Sequence, residues 1–498
     1  MRSIYVIVSS LMLVGCAVLS PGGRSFSAAS EGVPSFSATP EGAPSFPAAS
    51  ETFPLVREGR WLQYNGQYQY FVGFDNQELV ADTSIDYIAV LDTLRDVRVN
   101  KVRIWLDAYW DPSFLHPWVR RNGKYDLDQW NSAYWQRLRN FMSAAHDRGI
   151  IVEVSLFPVY PADSNWWGHS TFQIAWNEAN NINGAFRSNS QGHFFPEFFD
   201  VYHPELSATG KTMKDYQQAL VDKVLLELGS YPNVLFEISN EFPGDFRNRG
   251  YIDQVYVWQN YWAAYLKQRT PQLVSVHAHD SSGPQTRGIQ YYWDNPNIDI
   301  LNFHFYTDVG AVGGLLRSSQ LKGKVLQSNE SFNYQQDGSH LDLVTREAWG
   351  FFTSGAYYGF YHENLLDAAS ISKLTRLTAL RTIAESVRFW EMSPADAAGN
   401  EYDDLVSAGP VSNWQVYANP GLEYVVYYWG DPTHSSARIQ LPAGSYAYRW
   451  HDVRDALILA RGVVDGGDGV VSIPAPERGW QGSAGTALVV QRTSSTSR

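Results

Sequence analysis

Cysteine is nearly absent from this 498-residue chain, which has one. That excludes an internal disulfide framework and any cysteine-rich metal site. Charge is sparse at 18%, and basic charge sparser still: 38 Lys and Arg face 51 Asp and Glu, for a formal net charge of −13. A shortage of clustered Lys and Arg argues against a nucleic-acid partner, because phosphate binding draws on that charge. The composition also lacks the signatures of collagen-like, coiled-coil and wholly disordered chains. Length is ample for two or three domains with a large core. Aromatics are abundant, with 18 Trp and 30 Tyr. Their flat apolar faces and polar rims suit sugar rings, so carbohydrate is the first partner class to test.

Arg2 precedes an apolar run from Ile4 to Val14, too short to span a bilayer but of signal-peptide length. The run ends in Leu13-Val14-Gly15-Cys16, which resembles a bacterial lipobox. The resemblance implies that residues 1–15 are removed and that Cys16, as first mature residue, carries a lipid. The protein would then sit in the bacterial cell envelope with the membrane as a partner. Ala17 in place of Asp favours the outer membrane in a two-membraned cell. The plainer reading is an ordinary signal peptide with Cys16 incidental. Three decapeptides follow, SFSAASEGVP, SFSATPEGAP and SFPAASETFP, from Ser25 to Pro54. These Ser/Ala/Pro/Gly units have no apolar face to stack, so 16–57 reads as a flexible tether rather than a solenoid. Roughly 40 such residues give an r.m.s. reach of about 35 Å.

From Tyr70 onward, short apolar runs alternate with helical patterns, which predicts a parallel sheet with crossover helices. Eight strands are expected near Tyr70–Phe74, Lys101–Leu106, Ile150–Phe157, Val234–Ser239, Leu273–His277, Ile300–Phe305, Val325–Ser328 and Ala356–Tyr361. Among the helices, Asp86 to Val97 places Ile88, Leu91 and Leu94 on one face. Lys214 to Leu228 repeats Tyr216, Leu220, Val224 and Leu228, and Ser370 to Met392 closes the set. Eight strand–helix units fit an α/β fold, a (β/α)₈ TIM barrel over 58–398. A doubly wound sheet is the alternative, although no Gly-rich phosphate turn follows the first strand. Beyond about Glu401, short alternating strands separated by Gly/Pro/Asp turns predict a small antiparallel β-sandwich, assigned to 399–498. The long loop from about Pro158 to Met213 is dense in aromatics. At least half of these should pack against the barrel, with Trp166 and Trp167 the better candidates for sugar platforms.

The dipeptide Asn-Glu occurs four times, at 177, 240, 329 and 400, and alone means nothing. Two copies follow a buried strand immediately, Asn240-Glu241 after the fourth and Asn329-Glu330 after the seventh. Polar residues at the C-terminal strand ends of a barrel are catalytic candidates. Two carboxylates facing across a cleft are what glycoside hydrolysis needs. Here residues 58 to 395 resemble the barrel glycosidases of clan A, which hold many cellulases, mannanases and β-glycosidases. The resemblance implies that Glu241 is the acid/base, Asn240 holds the sugar 2-hydroxyl and Glu330 is the nucleophile. It also implies that Arg103 supports the nucleophile, with His304 and Tyr306 beside it. The third strand lacks the His of the cellulase-like members, and the eighth offers Tyr357 to Glu363, with His362, where a Trp is common. The sandwich resembles the collagen-binding-type domains that trail several barrel glycosidases.

The resulting expectation is a retaining β-glycosidase acting on an oligo- or polysaccharide, with no cofactor, its carboxyls about 5–5.5 Å apart and Glu241 held protonated by burial and by anionic Glu330. The rival is a non-catalytic glycan-binding surface lipoprotein on the same scaffold. His277-Ala278-His279 has metal-ligand spacing, but it falls on the fifth strand with too little barrel left for further ligands. It is read as lining the sugar cleft, with His279 as the substrate contact and no metal.

Overall fold

The computed structural model describes residues 54–108, 111, 113–158, 174–184, 196–202, 206–240, 252–278, 291–304, 323–330, 341–361, 367–397, 405–432, 435–477 and 484–493. A small antiparallel sheet leads in: β1 (Leu55–Glu58), β2 (Trp61–Tyr64) and β3 (Gln67–Tyr68). Next come β4 (Val72–Asp75) and β5 (Lys101–Trp105), then an inserted hairpin of β6 (Trp118–Arg121) and β7 (Lys124–Trp130). The sequence continues with β8 (Ile151–Phe157), β9 (Val234–Ser239), β10 (Val274–His277), β11 (Ile300–Asn302), β12 (Val325–Ser328) and β13 (Tyr357–Tyr361). Without the hairpin, β4 to β13 form a closed parallel barrel of eight strands in chain order. All eight fall where the apolar runs place them, and the fold is a TIM barrel followed by a β-sandwich.

The barrel closes where β13 pairs with β4, with Gly359 opposite Gly73. A Cβ on either glycine would lie 3.2 Å from the other's Cα. The seam therefore has room for two bare backbones and little more.

Strand interiors are buried on both faces, as an enclosed parallel sheet requires. In β5 every residue is buried, Val102 and Ile104 alternating with Lys101, Arg103 and Trp105. Lys101 and Arg103 bond side chains on β12 and β9, which are not β5's neighbours, so this set points into the barrel.

Local sequence sets the helix ends. Asp86 caps Tyr87–Asp96 by accepting from the Ile88 and Ala89 amides at 3.1 and 3.2 Å. That helix buries Val90, Leu91 and Leu94, while Ile88 stays 39% exposed, so the apolar stripe is rotated from the expected one. Met213–Leu228 starts with a reciprocal Thr212/Asp215 capping box and buries Tyr216, Leu220, Val224 and Leu228 as its periodicity predicts. Ala368–Ala384 stops short of the expected Met392. Phe389 lies in a 3₁₀ turn with its ring edge-on to Trp61 at 4.8 Å, and that packing turns the chain out of the helix.

The sandwich has a six-stranded sheet of β14 (Ser393–Ala397), β16 (Val411–Asn419), β17 (Glu423–Pro432), β19 (Gly444–Asp452), β20 (Ile458–Gly466) and β22 (Thr486–Arg492). It faces a three-stranded sheet of β15 (Val406–Ala408), β18 (Ser436–Leu441) and β21 (Gly469–Pro474). Val426, Ile439, Trp450, Ile473 and Leu488 fill the space between. Leu341–Thr353 of the barrel packs on β16 and β17. Trp349 stacks on Tyr427 at 5.1 Å, and the Thr353 hydroxyl donates to Gln415 Oε1 at 2.6 Å.

Candidate active site

Three carboxylates share one guanidinium at the C-terminal mouth of the barrel. Arg103, two residues above Lys101 on β5, donates from Nη1 to Asp75 Oδ2 at 2.8 Å and to Glu330 Oε2 at 2.9 Å. Its Nε and Nη2 both reach Glu237 Oε2, at 2.9 and 2.7 Å, and Nη2 also donates to Asn240 Oδ1. All five side chains are buried. The ends of β4, β5, β9 and β12 thus converge on a single cation.

Glu237 fixes the orientation of everything around it. Its second oxygen, Oε1, accepts from Asn302 Nδ2 and Asn329 Nδ2, each at 2.8 Å. With Nδ2 committed there, Asn302 Oδ1 accepts the Asn329 amide at 3.0 Å, and Asn329 Oδ1 faces Asn302 Nδ2 and His304 Nε2 at 2.6 and 2.9 Å. Asn329 Oδ1 can only accept, so the His304 proton sits on Nε2. The opposite ring nitrogen, Nδ1, then lies 3.7 Å from Glu330 Oε2. His277 at the end of β10 packs its ring 4.3 Å from that of His304.

The three acids are not equivalent. Burial pushes the Asp75 carboxyl up to about 6; Arg103 and His304 oppose that rise and Glu237 adds to it. Burial also works against the Arg103 charge, but Glu237, Asp75 and Glu330 outweigh it and hold the guanidinium well above its ordinary range. One layer deeper, Lys101 Nζ lies 2.6 Å from Glu153 Oε2 and donates to Gln327 Oε1 at 2.5 Å, while Gln327 Nε2 returns to Glu153 Oε1 at 2.7 Å. Burial raises the Glu153 carboxyl, yet Lys101 and Arg103 overcome it and leave it below the ordinary carboxylate value.

No protein-family model matches the chain, and no curated protein matches it. Solved structures do. The likeness is to glycoside hydrolases. A glycoside hydrolase family 5 structure from Bacteroides vulgatus is similar over 88% of this chain and 93% of its own, at 14% identity and a TM-score of 0.59. A second glycoside hydrolase is similar over 89% of this chain and 97% of its own, at 12% identity and a TM-score of 0.58. At such identities the shared property is the fold.

Of the residues singled out by sequence, Arg103, Asn240, His304 and Glu330 come together in this cluster. Glu241, Tyr306, His279, His362, Trp166, Trp167 and Cys16 lie outside the described residues. Aromatics of the long loop that are described serve mainly as packing. Trp176 sits edge-on to Trp118 at 5.0 Å, and Phe198 and Phe199 flank Trp258 at 5.5 and 5.3 Å, whereas Tyr202 is exposed. Sequence reasoning did not single out Asp75, Glu237, Asn302, Asn329 or the Lys101–Glu153–Gln327 set as site residues. A signal for part of this was present: Glu153 and Glu237 are each a lone charge inside an otherwise apolar strand, and Lys101 and Arg103 share a third, which implies buried partners. Among the described residues, no group of three or more is placed to hold a metal ion.

Proposed function

We propose that the protein is a retaining β-glycosidase acting on an oligo- or polysaccharide, with Glu330 as nucleophile and Glu241 as acid/base. One observation carries the reading. A single buried guanidinium joins the carboxylate that ends the seventh barrel strand, Glu330, to Asn240, which ends the fourth and directly precedes Glu241. Arg103 favours the ionised form of Glu330 and aims one of its oxygens, which is what a nucleophilic carboxylate requires. In this mechanism Glu330 attacks the anomeric carbon while Glu241 protonates the departing oxygen. Esterification removes the Glu330 charge, so Glu241, left as a carboxylate once its proton has gone to the departing oxygen, stays ionised and acts as base toward water. Asn240 has Oδ1 engaged by Arg103, leaving its amide donors to offer to a sugar hydroxyl.

The test is turnover of a panel of aryl β-glycosides and polysaccharides, with product analysis, by the wild type and by Glu330→Gln. Removal of the nucleophile is expected to lower kcat by at least about a thousandfold. Absence of wild-type turnover across the panel, with glycan binding retained, would replace the hydrolase with the binding protein. As a second part of the proposal, Cys16 carries a lipid and tethers the fold to the cell envelope. The support is the lipobox-like Leu13-Val14-Gly15-Cys16 and the decapeptides that follow it.

A further inference from the structure

Asp75 is the least compensated acid of the cluster. Glu237 receives four hydrogen bonds, two on each oxygen. Asp75 receives one, from Arg103 Nη1, and its Oδ1 has no hydrogen-bond partner among the described residues although the side chain is fully buried. The Nη1 that holds Asp75 Oδ2 at 2.8 Å also holds Glu330 Oε2 at 2.9 Å. Around Asp75 stand Arg103 from β5, Glu237 from β9, His304 after β11 and Glu330 after β12, with Lys101 and Glu153 a layer below. Its β13 register partner is Tyr361.

We propose that Asp75 is a positioning residue for the reaction: by sharing Arg103 Nη1 with Glu330, it draws off part of the guanidinium's pull and keeps Glu330 basic enough to attack. The inference rests on the reading of Glu330 as nucleophile. A second negative charge on the same nitrogen raises the proton affinity, and hence the nucleophilicity, of the first carboxylate. Burial without a partner on one oxygen favours the neutral form of a carboxyl. As pH falls through about 6, Asp75 is neutralised, and the whole pull of Arg103 Nη1 then falls on Glu330, which becomes less reactive. When Glu330 is esterified, Asp75 and Glu237 still balance Arg103, so the guanidinium is never left unpaired.

Asp75→Asn mimics the protonated state at every pH. Above about pH 7 its kcat/KM is expected to fall roughly three- to tenfold below the wild type, and the two profiles should converge below about pH 5. A ratio that stays constant across pH would mean that Asp75 only supports the fold, and would overturn the proposal. A second arm needs no turnover: thermal unfolding against pH. The folded state binds a proton on Asp75 at about 6 and the unfolded chain near 3.8, so the wild type loses stability relative to D75N as pH rises through that window. In a Glu330→Gln background, Asp75 has Nη1 largely to itself, and the midpoint of that difference should drop by on the order of one pH unit. An unmoved midpoint means that the two acids do not share Arg103, and overturns the inference even if the protein proves to hydrolyse glycosides. Failure of wild-type turnover alone overturns the glycosidase reading and leaves this shift measurable. If D75N does not fold, Asp75→Ser removes the same charge with a smaller side chain.

Discussion

Glu237 holds several groups of the site in place at once. It is fully buried and saturated by Arg103, Asn302 and Asn329, and through them it sets the His304 tautomer and the backbone amide adjoining Glu330. Replacing it by Gln keeps the shape but turns one acceptor oxygen into an NH₂ that must oppose the Arg103 or Asn donors. Breaking one partner of a buried ionic network in this way should destabilise the fold by about 3–5 kcal/mol. Urea unfolding of Glu237→Gln measures it, and a loss under about 1 kcal/mol would show the network to be dispensable. The deeper Lys101–Glu153 pair responds to acid in the opposite sense to Asp75. Glu153 is held below its ordinary value, so its contribution is present at neutral pH and is lost as pH falls through its lowered value. Asp75, held above its ordinary value, penalises the fold at neutral pH, and acid relieves that penalty. The stability profile on the acid side is thus the resultant of two buried carboxyls pulling in opposite directions.

The barrel strands show what a sequence can and cannot disclose. All eight were legible, because a parallel strand buried on both faces is a short apolar run bounded by turn residues. Arg103 beside Glu330 was expected only through the resemblance to the clan A glycosidases, and the two are hydrogen-bonded. What lies inside the barrel was not legible. Asp75 pairs in register with Arg103 from the adjacent strand, but Glu237 and Glu330 come from strands distant in sequence, and only closure of the sheet brings them to the same guanidinium. The helix from Tyr87 differs by rotation for a related reason: which stripe is buried depends on the neighbouring helix and sheet, and these left Ile88 outside. Closure itself rests on the Gly73–Gly359 seam, where the backbones approach as closely as 3.2 Å allows an added Cβ. Gly359→Ala should force β13 away from β4 and cost about 1–3 kcal/mol, the range for overpacking a tight site. Chemical denaturation tests this, and an unchanged midpoint would show that the seam can yield without loss. Because Asp75 sits at the end of β4 and Asn329 O lies 3.3 Å from the same added Cβ, any shift should also be felt at the site.

At the scale of the molecule, some of the aromatic residues have a structural use. Trp61, Trp349, Phe352, Phe389, Tyr417 and Tyr427 pack together where the barrel meets the sandwich, so these rings act as structural cement. The sandwich is therefore fastened to the barrel wall rather than strung on a linker. In the N-terminal segment the lipobox-like sequence leads to a specific proposal: lipid on Cys16. A single lipidated N-terminal residue with the signal removed is the only membrane attachment the proposal needs, and among the described residues no helix is long and apolar enough to cross a bilayer. Expressed in a two-membraned bacterium, the wild type should fractionate with membranes and incorporate labelled palmitate. Cys16→Ser should lose the label and, once its signal is cleaved or the envelope is opened, leave the membrane fraction with glycoside turnover intact, because Cys16 precedes the barrel by the whole tether. Wild-type protein that is processed yet carries no label, or a Cys16→Ser variant that still sediments with membranes, would make Cys16 incidental and the decapeptides a spacer with nothing at the far end.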